Sequence, residues 1–343
     1  MTNSIAILGA SGYAGAELLR LLGSDCDSEV VVVTGDSQKG KKVAELYPHL
    51  ASSYPELVFE STDSARVRSA RVVFSALPHG ESMSILPQLN NELIIDLGSD
   101  FRLKAPALYP QWYAREHISP EQLAKWTYGL PELFREQIVT SKRIANPGCY
   151  ATAITLALAP LVAEDLIKGD IVVNALSGTS GAGRNPAPNL HFANVFENIT
   201  AYKPGTHQHT AEIEQSLSVL NPDSTPMVSI TPHLAPITRG IHATCSAQLK
   251  TKGNSELVEK LFREFYKNEP FVKISSIPCG CKETRGSNSV VLYSTVDPRT
   301  QRVIVISVLD NLIKGAAGQA IQNMNLALGL PETKSLNAIG LYP

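Results

Sequence analysis

At 343 residues, 43% of them apolar and 18% charged, the chain exceeds one ordinary domain and carries ample material for buried cores, which excludes a disordered chain and favours two domains. Thirty basic residues against 32 acidic leave a net charge of −2 with no Lys or Arg run, so neither nucleic acid nor an anionic membrane is expected as a partner, and a small molecule is. The five cysteines are an odd number, without disulfide-scaffold density or the repeated C-x-x-C of a zinc site, which fits a reducing cytoplasm and no bound metal.

The N-terminal stretch lacks a basic leader region and reads as fold rather than as an address. SIAILG at 4–9 predicts a strand, GASGYAG a glycine-rich turn, and AGAELLRLLGS a helix. EVVVVTG at 29–35, ARVVFSAL at 70–77 and ELIIDLGS at 92–99 follow as strands. Their apolar runs do not alternate, as in a parallel sheet covered on both faces, so residues 1–148 are expected to form a Rossmann-type, doubly wound nucleotide-binding domain. The apolar run 151–163 contains Pro160, is too short to cross a bilayer and reads as a core helix. Next come a strand DIVVNALS at 170–177, a Gly/Ser-rich loop at 177–188, a strand ATCSAQLK and a helix ELVEKLFREFYKN. VVLYSTV and RVIVISVLD, joined by DPRTQ, predict a hairpin, so 149–314 is expected to be an α+β catalytic and dimerisation domain with a mixed or antiparallel sheet. A last helix within 315–343 is expected to return to the first domain.

Gly9, Gly12 and Gly15 lie between first strand and first helix, where glycines permit a tight turn and let a pyrophosphate approach the helix N-terminus. Ser11, Tyr13 and Ala14 fall in the same turn and are cofactor candidates with them. An NAD site usually ends its second strand in Asp or Glu; here the strand ends in Thr34-Gly35. Ser37, Lys39, Lys41 and Lys42 come next and suit a 2′-phosphate, although Asp36 argues the other way, so NADP(H) is the expected cofactor.

The stretch ANPGCYATA at 145–153 sets Cys149 at the start of a helix, whose positive end stabilises a thiolate. A cysteine in apolar surroundings is more often inert, unless a base exists elsewhere. His207 and His209 in THQHTAEIEQ supply that base, with Glu212 three residues on to orient an imidazole. Cysteine, histidine and a nucleotide domain together suggest thioester chemistry coupled to hydride transfer.

The turn, cysteine and histidine motifs join SALPHG at 75–80, DLGSDFRL at 96–103, YGLPEL at 128–133, SGTSGAGR, TPHLAPITRGI and LDNLIKGAAGQAIQNMN. In this order, over nearly the whole chain, they resemble the N-acetyl-gamma-glutamyl-phosphate reductase family of the semialdehyde dehydrogenase superfamily. The resemblance implies NADPH-dependent reduction of N-acetyl-L-glutamyl 5-phosphate to the 5-semialdehyde in arginine biosynthesis. It implies Cys149 as nucleophile, acid/base function from His207 and His209 with either as the one that transfers the proton, and cofactor contacts from Ser75, Ser180, Gly181 and Asn311. Arg102 and Arg239 are substrate candidates because guanidinium forks match phosphate and carboxylate, and Asn146, beside the cysteine, is a third. The resemblance also implies a homo-oligomer, a dimer or tetramer. Two positions depart from the family pattern: Gln208 stands where arginine separates the histidines, and Gln38 where the second-strand loop often has arginine. The alternatives are an aspartate-semialdehyde dehydrogenase-like enzyme, a reductase of a carrier-linked aminoadipyl phosphate, and a non-catalytic NADP sensor, which would have no need of the cysteine and histidines together.

Overall fold

A computed structural model of the chain describes residues 2–224 and 226–343. The chain divides into two compact units, Met1–Pro147 with Ala316–Asn337, and Gly148–Gly315 with Ala338–Pro343. Of the stretch 315–343, therefore, the helix and the residues after it as far as Asn337 cluster with the first unit, and the last six residues with the second.

The first unit holds a parallel sheet of β1 (Asn3–Leu8), β2 (Ser28–Thr34), β3 (Phe59–Glu60), β4 (Val72–Ser75), β5 (Leu93–Asp96), β6 (Thr127–Tyr128) and β7 (Arg143–Ala145). Its order is β3-β2-β1-β4-β5-β7-β6, and Ile5, Ile7, Val73 and Ile94 are fully buried, as strands covered on both faces require. The order reverses between β1 and β4, so a crevice for ligand opens at the carboxyl ends of those two strands. The helix Gly318–Ala327 packs on β5 and buries Gln319, Gln322, Asn323 and Asn325. Those amides have partners: Asn323 donates to the Gly129 carbonyl and to Oδ1 of Asn146, and Asn325 to the carbonyls of Glu332 and Lys334. The polar motif GQAIQNMN is thus a buried helix whose asparagine NH2 groups are bonded, while the side-chain oxygens of Asn323 and Asn325 stay buried without a partner.

The second unit is built on β8 (Ile167–Ser177), β9 (Thr200–Ala201), β10 (Met227–Leu234), β11 (Ile241–Leu249), β12 (Val272–Ser275), β13 (Val290–Asp297) and β14 (Arg302–Leu309). The order is β12-β13-β14-β11-β8-β10-β9, and the sheet is mixed: β13, β14, β11 and β8 run antiparallel in turn, while β10 joins β8, and β12 joins β13, in parallel. The helix Cys149–Ala163 packs against β11, β14 and the helix His209–Leu220, and Tyr150 through Val162 are buried all round. Pro160 lies inside it and has no N–H for the Leu156 carbonyl one turn back; the Tyr266 hydroxyl donates to that carbonyl instead, at 2.6 Å. Among the described residues no helix is long and apolar enough to cross a membrane.

Candidate active site

Cys149 is the first residue of its helix, after Gly148 in an extended conformation, and it is partly exposed at the end of an otherwise buried helix. Gly148 has no side chain with which to cap this helix and no acidic residue occupies its first turn; the helix start nevertheless faces a carboxylate, since buried Glu212 accepts the Gly148 backbone N–H. Two glycines let other segments close on the cysteine. A Cβ on Gly148 would stand 2.2 Å from Nε2 of His209, and one on Gly315 would stand 2.7 Å from Cβ of Cys149. Gly315 lies in a π-turn, Ile313–Ala317, a helical irregularity that often marks functional sites.

The loop before the helix His209–Leu220 brings His207 and His209 to the same place, with ring centroids 4.6 Å apart. Nδ1 of His207 accepts from the His209 backbone N–H at 3.2 Å, so this nitrogen carries no proton of its own. Burial, reinforced by the neighbouring His209 and Lys203, pushes His207 down to about 2, and it stays neutral at physiological pH. Glu212, fully buried, accepts the Gly148 backbone N–H at 3.1 Å on Oε2 and holds Oε1 3.8 Å from Nε2 of His209. One carboxylate thereby bonds the residue before the cysteine and lies close to the histidine. Two tyrosines that sequence reasoning passed over complete the cluster. The Tyr150 ring meets His207 edge-on at 5.3 Å, and Tyr202 donates its hydroxyl to that of Tyr150 at 3.1 Å. Burial pushes Tyr202 up to about 12 and Tyr150 further, so both remain neutral donors. Tyr150 hid in an apolar helix run and Tyr202 in a loop, with no spacing signal to mark either.

The same unit assembles a second group. Backbone N–H groups of Gly178, Thr179 and Ser180 donate to the carbonyls of Gly240, Ile237 and Thr238, zipping the Gly/Ser-rich loop to the loop of Arg239. A Cβ on Gly178 would stand 2.7 Å from the Arg239 backbone nitrogen, so the approach needs glycine. Asn311 clamps both loops, donating to Oγ of Ser180 at 3.0 Å and accepting from Gly240 at 2.8 Å; Gly181 lies beside it. Arg239 is half-buried, 3.7 Å from buried Asp310. The turn of Asp310 therefore carries Asn311 to this loop and Gly315 to the cysteine.

The remaining candidates lie in the first unit. Gly9 has a φ of +70°, and a Cβ there would strike the Ala76 carbonyl at 2.5 Å; one on Gly15 would strike Ala10 at 2.4 Å. A Cβ on Gly12 would meet only the Gly9 carbonyl, at 3.6 Å. Gly9 and Gly15 thus serve turn and packing, while Gly12, at the uncapped start of the helix Tyr13–Leu22, leaves an open cradle that fits a pyrophosphate. The Tyr47 hydroxyl steadies this turn through the Ser11 carbonyl at 2.7 Å; Tyr13 and Ala14 open the helix, and Ser37 is exposed beyond β2. Ser75 ends β4 at the crevice but is fully buried, its hydroxyl 3.0 Å from that of Ser82. Arg102 is buried and donates to the Leu97 carbonyl, and the Asn146 amide is engaged by Ala316 and Asn323. Of the other thiols, burial pushes Cys279 up to about 12 and Cys281 to about 11, which leaves them poor nucleophiles.

Residues 4–141 match the family model of the semialdehyde dehydrogenase NAD binding domain, and residues 149–311 that of the semialdehyde dehydrogenase dimerisation domain. N-acetyl-gamma-glutamyl-phosphate reductase of Symbiobacterium thermophilum is 47% identical, with 100% of both chains covered. That of Dehalococcoides mccartyi is 45% identical, with 98% of both covered. The chain belongs to the N-acetyl-gamma-glutamyl-phosphate reductase family. As a member it is an oxidoreductase, and its glycine turn belongs to the NAD-binding part of the semialdehyde dehydrogenase pattern. Solved structures share the fold: aspartate semialdehyde dehydrogenase II from Vibrio cholerae superposes with a TM-score of 0.73 at 16% identity, covering 96% of this chain and 99% of that one. Aspartate semialdehyde dehydrogenase with NADP from Candida albicans gives 0.71 at 17%, covering 95% and 98%.

Proposed function

We infer that the chain reduces N-acetyl-L-glutamyl 5-phosphate with NADPH, releasing phosphate and N-acetyl-L-glutamate 5-semialdehyde. Full-length identity of 47% to a reductase of that name supports the substrate, and the observation that carries the mechanism is Cys149 at a helix start whose preceding Gly148 N–H is held by Glu212, with His209 close beside both. The Cys149 thiolate attacks the acyl carbon, a C–S bond forms, and phosphate leaves with the C–O bonding pair. When bound, NADPH supplies the hydride that reduces the thioester carbon. Collapse of the resulting thiohemiacetal expels the thiolate and frees the aldehyde; in reverse the aldehyde adds to the thiolate.

His209 is proposed as the group that carries the proton, because His207 is held neutral by burial and by the bond to its Nδ1. Glu212, fully buried with Oε1 3.8 Å from Nε2 of His209, is proposed to orient that ring. Tyr150 and Tyr202 brace the His207 ring and exclude water from it. Arg239, half-buried and steadied by Asp310, is proposed for a substrate anion; Arg102 and Asn146, turned into the first unit, act there as braces. Ser180, Gly181 and Asn311 are proposed as cofactor contacts on the family resemblance alone.

The test is phosphate-dependent reduction of NADP with N-acetylglutamate semialdehyde or aspartate semialdehyde as substrate. Preference for the acetylated aldehyde, abolished in Cys149→Ser while NADPH binding is retained, is the expected result; turnover by Cys149→Ser would remove the nucleophile, and activity on aspartate semialdehyde alone would overturn the substrate.

Self-association belongs to the same reading. Val172, Ile304, Ile306 and Tyr293 stand on one face of the second sheet, partly open, while the helices pack on the other. Ile306 and Tyr293 pack in part against buried Cys279, Val291 and Val308, while Val172 and Ile304 stand beside Ser246; a second copy of the chain is proposed to cover this mixed face. Val172→Asp with Ile304→Glu is expected to lower the mass found by light scattering to that of one chain; an unchanged mass would place the interface elsewhere.

A further inference from the structure

We propose that Thr62 selects the 2′-phosphorylated cofactor by holding the Asp36 carboxylate away from the adenosine ribose. The proposal rests on the reading that the first unit binds a nicotinamide dinucleotide.

The end of the second strand is where such domains decide between the two cofactors, because an acidic side chain there binds the ribose hydroxyls and repels a 2′-phosphate. In this chain β2 ends in Thr34, whose hydroxyl accepts the Gly9 backbone N–H of the glycine turn at 3.2 Å. A neutral group thus occupies the place at the strand end. An acid nevertheless stands nearby: Asp36 opens the short turn Asp36–Gln38, exposed to solvent. Gly35 before it approaches Ser11 so closely that a Cβ would lie 3.0 Å from the Ser11 hydroxyl, which sets Asp36 beside the glycine turn. A free carboxylate in that position would oppose NADP.

It is not free. The loop following β3 delivers Thr62, whose backbone N–H donates to Oδ1 of Asp36 at 2.9 Å and whose hydroxyl donates to Oδ2 at 3.0 Å. Both carboxylate oxygens are taken by one residue, and a doubly bonded carboxylate has a fixed direction. The Thr62 hydroxyl also lies 3.5 Å from that of Thr34, so the latch is continuous with the glycine turn. Of the nearby cations, Lys41 donates to the Gln38 side chain at 3.2 Å and Lys42 pairs with Glu56 at 2.8 Å, while Lys39 is exposed. With Gln38 in place of a further cation, disarming the negative group adds to the preference, and Ser37 adds a neutral donor.

The experiment is calorimetric binding of NADPH and of NADH, without turnover, to the wild type, Thr62→Val, Asp36→Asn and the double variant. Valine keeps the shape of threonine and the backbone donor but removes the hydroxyl. Thr62→Val should weaken NADPH roughly fivefold or more, the effect of a carboxylate released near a phosphate at an exposed site, and leave NADH unchanged or tighter. The double variant should return NADPH to within about twofold of wild type, since the released group is then neutral. Equal weakening of both nucleotides by Thr62→Val would overturn the proposal. So would a gain for NADPH in Asp36→Asn alone as large as Asp36→Asn produces in the Thr62→Val background. If Thr62→Val fails to fold, Thr62→Ser, which keeps both donors, must retain the wild-type preference, and Asp36→Asn alone then decides: little change in NADPH affinity is expected of an acid already held aside, and a gain of about fivefold or more would overturn the proposal. A wild type that binds neither nucleotide would remove the dinucleotide reading itself, a result distinct from either of these.

Discussion

Gly148 has no functional group, yet it governs the geometry of the site. Its backbone, at φ −72° and ψ 155°, suits any residue, so Gly148→Ala should fold normally. The added methyl would nevertheless stand 2.2 Å from Nε2 of His209 and displace the ring. Steady-state kinetics should show kcat reduced on the order of a hundredfold, the usual consequence of moving a reacting group by about 1 Å, with an unchanged melting temperature. Retention of kcat would show that His209 need not stand there. The contrast with Cys149, His207, His209 and Glu212 is physical. Thiol, imidazole and carboxylate announce their chemistry by residue type, whereas Gly148 matters only through what lies against it. Direction is equally hidden: Arg102 and Asn146 carry groups suited to a substrate, but only the folded chain turns them toward Leu97, Ala316 and Asn323.

The helix Cys149–Ala163 joins sequence pattern to site at the scale of an element. Its apolar run was legible because a helix buried all round needs no polar face, and Pro160 was legible as an interruption. The remedy for that interruption was not, since Tyr266 lies 110 residues from the carbonyl it caps. Tyr266→Phe would leave the Leu156 carbonyl buried without a donor, costing about 1–3 kcal/mol. Thermal unfolding should show the second unit melting lower; an unaltered melting temperature would mean another donor takes over. Strands divide in the same way. β1, β2, β4, β5, β13 and β14 are continuous apolar or alternating runs that read directly. β3 and β6 have two residues each, too few to show a period, and β10 contains Pro232, which breaks the strand signal yet is accommodated where only two-residue β9 continues the sheet.

At the scale of the whole molecule, stability should carry the mark of one buried acid. Burial, with the Asp100 carboxylate close by, pushes Asp96 up to about 6 from 3.8. Its folded form holds a proton that the unfolded chain has already released, so stability is lost as pH rises through the window from about 4 to about 6, by about 3 kcal/mol in all. Asp96→Asn keeps an oxygen for Ser82 and Gly98 but cannot ionise, and denaturant unfolding should show it gaining on the wild type across that window. Parallel pH profiles for the two would contradict the assignment. By itself the sequence determined the features that depend on order along the chain: a parallel nucleotide-binding fold from unalternated apolar runs, a glycine turn between first strand and first helix, and, by residue type, a cysteine and two histidines as candidates for the chemistry. Only the tertiary structure decided which groups face one another, that His207 is neutral, that Glu212 bonds Gly148 close to His209, and that Thr62 latches Asp36, because burial and hydrogen-bond partners depend on residues distant in sequence and adjacent only once the chain has packed.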